Sequence, residues 1–246
     1  MHLKTLSVLC VALVGSGAFA QVTPAEPEYT LAFNAGLTSD YRFRGISQSR
    51  FDPAVFGGID FGHKSGIYLG TWASSIKWIK DAGGNSDAEI DFYGGYKGAQ
   101  GDIGYDLGVV RYQYPSHNLA VSPNTTELYG GLTFGPLTAK YFHSVTNAFG
   151  FGGSKNSGYL DISALFDLGN GWSIVPHVGR QKIDGPSSTV GSYTDFALTV
   201  NKDFGSGFVV SLAAIGSNTK LAGYAAPGGT RKLGRDTAVL TLKYNL

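Results

Sequence analysis

The sequence predicts an all-β protein: a transmembrane antiparallel up-and-down β-barrel of about twelve strands. Two observations carry that prediction. Apolar and polar residues alternate with a period of two along most of the chain, and the connections between alternating segments switch between short and long without exception. Composition agrees. Glycine supplies 36 of 246 residues, roughly double its share in a typical soluble domain, while charged residues make up only 15% and aromatics reach 13%. Beyond residue 20 no apolar run approaches the ~18 residues a membrane-spanning helix needs.

The first twenty residues read as a secretory leader. Lys4 is followed by an apolar stretch from Leu6 to Val14 and by the small-residue end Ala18-Phe19-Ala20, so cleavage is expected before Gln21. The single cysteine, Cys10, lies inside that leader, which leaves no disulfide to the mature chain. The whole chain carries 19 Lys and Arg against 18 Asp and Glu; loss of Lys4 makes the remainder neutral, which argues against nucleic-acid binding. Residues 21–28 form a short tail, expected to be periplasmic, and 29–246 a single barrel domain.

From Tyr29 to Phe43 seven of the eight odd positions are apolar or aromatic, and only one of the eight even positions from Thr30 to Arg44 is apolar. A strand separates two such sets onto opposite faces, whereas a helix would mix them. The same ruler predicts strands at 29–45, 54–63, 67–76, 88–97, 103–114, 125–135, 137–144, 159–168, 172–181, 193–203, 208–217 and 236–246. In the eighth, Leu160, Ile162, Ala164, Phe166 and Leu168 oppose Asp161, Ser163 and Asp167; in the last, Ala238, Leu240, Leu242, Tyr244 and Leu246 oppose Thr237, Val239, Thr241, Lys243 and Asn245. The even-numbered connections are tight and contain Gly or Pro, such as Gly169-Asn170-Gly171 and Gly205-Ser206-Gly207, and suit hairpins. The odd-numbered ones, 46–53, 77–87, 115–124, 145–158, 182–192 and 218–235, are longer. Sorting by parity is what a chain crossing a layer back and forth requires, with short periplasmic turns and long external loops. A soluble sandwich or lipocalin-like barrel shares the alternation but has no reason to sort its loops.

Aromatics near strand ends fit interfacial girdles: Tyr29, Phe134, Trp172, Phe208 and Tyr244 on the turn side, Tyr41 and Phe43 on the loop side. Two residues break the pattern. Arg111 falls on the lipid face, at the outer rim near lipopolysaccharide phosphates unless a bulge turns it; Pro176 cannot donate to a ladder and predicts a local bulge or kink.

The segment TSDYRFRGISQS (Thr38 to Ser49) resembles the TorF family of proteobacterial porins. The resemblance continues through DPAVFGGIDF, GIYLGTWASS, EIDFYGGY and YQYPS and thins beyond them. It implies a Gram-negative outer-membrane barrel with a pore function, partnered by outer-membrane lipid, lipopolysaccharide and the barrel assembly machinery, and it brings no catalytic residues. Strands read by that machinery usually end in Phe or Trp; Tyr244-Asn245-Leu246 keeps the alternation but not the residue.

With apolar residues toward lipid, the ionised ones turn inward. The pore-lining candidates are the acids Asp40, Asp60, Glu89, Asp91, Asp106, Glu127, Asp161, Asp167 and Asp195, the bases Arg42, Arg44, Lys97, Lys140 and Lys243, and His177. Twelve tilted strands make a cylinder roughly 24 Å across, leaving a channel about 10 Å wide once side chains are added. Such a channel passes ions and small hydrophilic solutes, with a weak preference for cations because nine acids face five bases. The same residues allow a lumen closed by Arg42 and Arg44 against the acids, giving a non-conducting structural or adhesion barrel that binds partners through its long loops.

Catalysis fits poorly. His143 and Ser144 are adjacent on one strand and so point to opposite faces, Ser116-His117 lies in a loop, and no G-x-S-x-G elbow is present. The scattered histidines offer no metal cluster, the Gly150–Gly153 stretch lacks a Walker lysine, and no cofactor is implied.

Overall fold

In the computed structural model, which describes residues 27–246, the strands are β1 (Tyr29–Thr38), β2 (Arg42–Phe43), β3 (Ile46–Ser47), β4 (Ala54–His63), β5 (Ile67–Ser75), β6 (Ala88–Gln100), β7 (Ile103–Gln113), β8 (Thr125–Phe134), β9 (Leu137–Ser144), β10 (Gly158–Ala164), β11 (Phe166–Gly169), β12 (Trp172–Lys182), β13 (Tyr193–Asp203), β14 (Phe208–Ser217) and β15 (Thr237–Asn245). All except β2 and β3 belong to one antiparallel sheet. β10 and β11 are two halves of a single stave broken at Leu165, so the sheet has twelve staves, and it closes where β1 meets β15, with Asn34 opposite Asn245 and Thr38 opposite Thr241. The expected leader and all but the last two residues of the tail lie outside the described residues.

Closure fixes which face is which. Cross-strand partners share a face, so the register sorts side chains without ambiguity. Leu107 at mid-strand is 59% exposed, while Glu127 on the next strand is fully buried. Leu31, Leu69, Leu132, Leu212 and Leu240 are likewise exposed. Apolar side chains therefore cover the outside and charged ones fill the inside, the inverse of a soluble barrel. The turn-side aromatics Tyr29, Phe134, Trp172, Phe208 and Tyr244 all stand on the outer surface near the short turns. Glycine has a packing role on the inner wall. The rings of Tyr93, Tyr129 and Tyr159 lie across Gly70, Gly108 and Gly179 on neighbouring strands, where a Cβ would collide with the ring.

Three sequence expectations need correction. The first strand ends at Thr38, not at residue 45, so Asp40, Tyr41, Arg42, Phe43 and Arg44 are not residues of the barrel sheet. They belong to the connection 39–53, which turns back at Arg44 and Gly45, both with positive φ (48° and 78°), and pairs β2 with β3. Tyr41 and Phe43 consequently pack inside the barrel and form no girdle. At Pro176 no residue is inserted: Ser163 opposes His177 and Phe166 opposes Ile174 in one continuous register. The missing N–H instead leaves a gap in the ladder at Leu165, and the register shift falls between Asp167 and Gly169. Arg111 stays on the outer face close to the loop end, donating to Gln113 and to the Thr126 hydroxyl.

A charge placed on the outer mid-barrel has no such outlet. Leu107→Arg is expected to destabilise the folded barrel by about 2–4 kcal/mol in lipid vesicles, read by urea titration. Leu107→Ile should leave it within experimental error.

Candidate functional site

The interior is the part of the molecule where charged groups converge, and its loop-side half is occupied by the chain itself. The connection 39–53 descends into the barrel as a small hairpin. Asp40 organises its base: its Oδ1 accepts from the Ser47 hydroxyl at 2.5 Å and the Ser49 hydroxyl at 3.1 Å, and its Oδ2 accepts from Arg42 Nε at 2.7 Å. The backbone N–H of Gln48 donates to the Tyr41 carbonyl at 2.8 Å. At the tip, Gly45 approaches β13 so closely that a Cβ there would lie 2.6 Å from the Asp195 Cβ, so both conformation and space demand glycine.

Arg44 is the hairpin's anchor. Its guanidinium grips Glu127 of β8 with two parallel bonds, Nη2 to Oε2 at 2.5 Å and Nη1 to Oε1 at 3.1 Å, and Nη1 also donates to Gln181 Oε1 of β12 at 2.9 Å. Four rings surround the guanidinium: Tyr159 at 4.2 Å, Phe43 at 4.8 Å, Phe142 at 5.0 Å and Phe149 at 5.6 Å. Glu127 gains further donors from Ser144 at 3.0 Å and Tyr112 at 3.3 Å. Burial opposes the charge on Arg44, but the Glu127 carboxylate outweighs it and raises its pKa above the ordinary arginine value, so the guanidinium stays protonated. A planar fork on a carboxylate is the geometry in which such a pair offsets its desolvation. Two staves along the wall from Glu127, the Tyr41 hydroxyl donates to Glu89 of β6. At this level the lumen is filled: the side chains of Arg44 and Glu127 are 5% and 0% exposed.

Below the hairpin, toward the short turns, the interior is more open. Lys140 and Asp106 pair at 2.6 Å yet keep about a quarter of their surface (27% and 26%). Tyr68 donates to Asp106 and Tyr93 to Asp60, each at 2.5 Å. His177 joins Asp161 at 3.0 Å to Asp195 at 3.6 Å, and the Tyr159 hydroxyl donates to Asp195 at 3.1 Å. The structure thus places Asp60, Glu89, Asp91, Asp106, Glu127, Asp161, Asp167, Asp195, Lys97, Lys140, Lys243 and His177 on the inner wall, and Asp40, Arg42 and Arg44 on the hairpin. It brings together Arg44 with Glu127, Asp106 with Lys140, and His177 with two aspartates. Arg42 reaches Asp40 and the Arg235 carbonyl but no wall carboxylate. Glu89 Oε2 and Asp91 Oδ1 are buried without a hydrogen-bond partner among the described residues.

The sequence reading passed over the inner tyrosines, four of which, Tyr68, Tyr93, Tyr112 and Tyr159, donate to wall carboxylates. Tyr68, Tyr93, Tyr112, Tyr129, Tyr159 and Tyr193 all face inward. Their parity was visible: Tyr93 shares that of Glu89 and Asp91, and Tyr129 that of Glu127. His143 and Ser144 lie on opposite faces and do not meet. Among the described residues no cluster of three His, Cys, Asp or Glu gathers for a metal.

Comparison with known proteins adds the lineage. Residues 21–246 match the family described as "Bacterial protein of unknown function (Gcw_chp)". The chain belongs to the Gcw_chp family. No curated protein matches this member of it. Among solved structures it is similar to the KdgM porin (8% identity, TM-score 0.53, 87% of this chain and 97% of that one) and to the NanC porin (9% identity, TM-score 0.51, 88% and 98%). At that identity the likeness establishes a shared porin-type barrel fold.

The anchor is testable on its own. Arg44→Ala strands a fully buried Glu127 carboxylate and is expected to cost about 3–5 kcal/mol, whereas adding Glu127→Leu to it should recover a large part of that loss. Thermal unfolding of the two variants beside the parent checks both.

Proposed function

We propose that this Gcw_chp chain is a porin-like channel of the Gram-negative outer membrane, exported with loss of its leader and passing ions and small hydrophilic solutes. One observation carries the reading: a closed barrel, apolar outside and ionised within, whose turn-side half keeps water-accessible charges while its loop-side half is stopped by a hairpin held through polar contacts. Solute passage then requires the hairpin to move. The TorF-like motif spans most of that hairpin, which agrees with a porin of that kind.

The wall sets the sign of preference. Nine inner carboxylates, Asp60, Glu89, Asp91, Asp106, Glu127, Asp161, Asp167, Asp195 and, at the turn end of β13, Asp203, face Lys97, Lys140 and Lys243, so the field favours cations. One solved KdgM porin is described in complex with disordered oligogalacturonate, a polyanion; an acid-rich wall opposes that class of solute here. The filled mouth also supports a second reading, a non-conducting barrel that works through its external loops.

Planar-bilayer recording separates the two. The parent is expected to show infrequent small steps, Arg44→Ala larger and more frequent ones, and both a reversal potential on the cation side in a salt gradient. Silence from both proteins, in preparations shown to be folded, would establish the non-conducting reading; anion preference would overturn the assignment of sign.

A further inference from the structure

At the outer rim, beside the hairpin and above the seam of β1 and β15, three arginines converge on one ring. The Cζ atoms of Arg231 and Arg235 each lie 4.5 Å from the Phe51 ring centroid, and that of Arg42 lies 5.6 Å from it. Phe51 is held there by two successive non-glycine residues with positive φ, Arg50 (61°) and Phe51 itself (66°). Hydrogen bonds fix that turn: Phe51 N–H to the Ser47 hydroxyl at 2.9 Å and the Ser49 hydroxyl to the Asp52 carbonyl at 2.7 Å.

The nearby carboxylates are already committed. Asp40 takes Arg42 through Nε, Asp81 takes Arg50, and Asp52 takes Lys77 at 2.6 Å. Lys77 is also the first cause of the lowered pKa of Asp52, to which Arg231 adds only a little. Arg231 and Arg235 pair with no carboxylate among the described residues, and their side chains make no hydrogen bond there. Arg42 adds an independent sign of a missing partner. Its side chain is 2% exposed, yet Nη2 has no acceptor. A ring attracts guanidinium groups only weakly, so Arg231 and Arg235 keep uncompensated charge there and Arg42, although paired with Asp40, keeps an unused donor.

We propose that this cluster is an oxyanion site for a phosphate group. Phosphate matches the planar donor forks of arginine, and the exposed guanidiniums of Arg231 and Arg235, gathered on the ring that Arg42 also borders, offer it such forks. The site bridges two segments, because Arg42 belongs to the hairpin while Arg231 and Arg235 belong to the connection between β14 and β15. Those segments already touch through Arg42 Nη1 to the Arg235 carbonyl at 2.8 Å and Ser47 N–H to the Leu233 carbonyl at 3.0 Å. A bound phosphate fastens the hairpin to the rim.

The same chemistry has two sources, a free phosphate-bearing solute or a phosphorylated lipid of the surrounding leaflet, and the experiment has an arm for each. The full mature chain, refolded in maltoside micelles free of phosphate, is titrated calorimetrically with inorganic phosphate and separately with lipid A in mixed micelles. The expected result is saturable one-to-one binding in at least one arm. The paired variant Arg231→Gln/Arg235→Gln should weaken it at least about tenfold, while Lys155→Gln in another external loop leaves it unchanged. Circular dichroism confirms that each variant is folded. Binding of inorganic phosphate assigns the site to a solute, and binding of lipid A alone assigns it to the leaflet. No saturable binding in either arm, or binding that the paired variant leaves intact, overturns the proposal. None of these outcomes depends on whether the barrel conducts.

Discussion

A sheet that must meet hydrocarbon on one face can leave no backbone group unpaired, and that requirement orders the rest of this molecule. Each stave has a neighbour on both sides, and the last ladder is closed by the chain's own ends, where Phe33 and Leu246 exchange backbone hydrogen bonds at 3.1 and 2.8 Å. Once the sheet is closed, side chains have only two destinations, and a one-residue slip would exchange them all. The cost of a misdirected charge therefore falls on every strand at once. The few cations that do point outward, Arg111, Arg180 and Lys182 near the loops and Lys202 near the turns, sit at the rims, where each finds a polar partner: Gln113, Thr194, Asp184 and the Asn170 carbonyl.

The period-two pattern made the sheet legible because it arises from that same two-way choice. Strand positions, the parity of the connections and the facing of the wall acids follow from it directly. The hairpin was hidden by an accident of parity. Tyr41 and Phe43 continue the odd apolar series of β1, so the pattern runs on past Thr38 although the backbone has left the sheet. What stops the strand is a set of local polar bonds: the Asp40 carboxylate collects Arg42, Ser47 and Ser49, residues two, seven and nine positions away. Short-range capture of this kind competes with a ladder and leaves no periodic trace. The partnership of Arg44 with Glu127 spans 83 positions and could be recognised only once closure had brought β8 opposite the first connection.

The filling of the mouth is polar where it could have been apolar, and the choice has consequences. An apolar plug inside a water-filled wall would leave the wall carboxylates unpaired when seated and expose grease when withdrawn. A plug carrying an arginine, a tyrosine and serines satisfies the wall when seated and is soluble when displaced. The energetic difference between the two positions is then small relative to its parts, since water can replace each lost bond. The exception is the Arg44–Glu127 fork, dry and enclosed by four rings, which is screened little by salt and has to break for the hairpin to leave. That fork ties the hairpin's tip to the wall, while the Asp40 network keeps the hairpin's own shape.

The charge balance of the chain conceals a division in space. In the long connections 39–53, 76–87, 114–124, 145–157, 183–192 and 218–236, ten Lys and Arg stand against six Asp and Glu, while the inner wall carries nine carboxylates and only three lysines. Opposite fields at the mouth and in the lumen mean that a cationic loop segment is drawn inward by the wall it must cover. Arg44 is such a segment's leading charge. An anion gathered at the rim, on Arg42 and its neighbours, acts in the other direction on the same loop by holding its base outside. The hairpin is thus suspended between two electrostatic attachments of opposite sign, one deep and dry and one shallow and wet, and only the shallow one is exposed to the ionic composition of the surrounding medium.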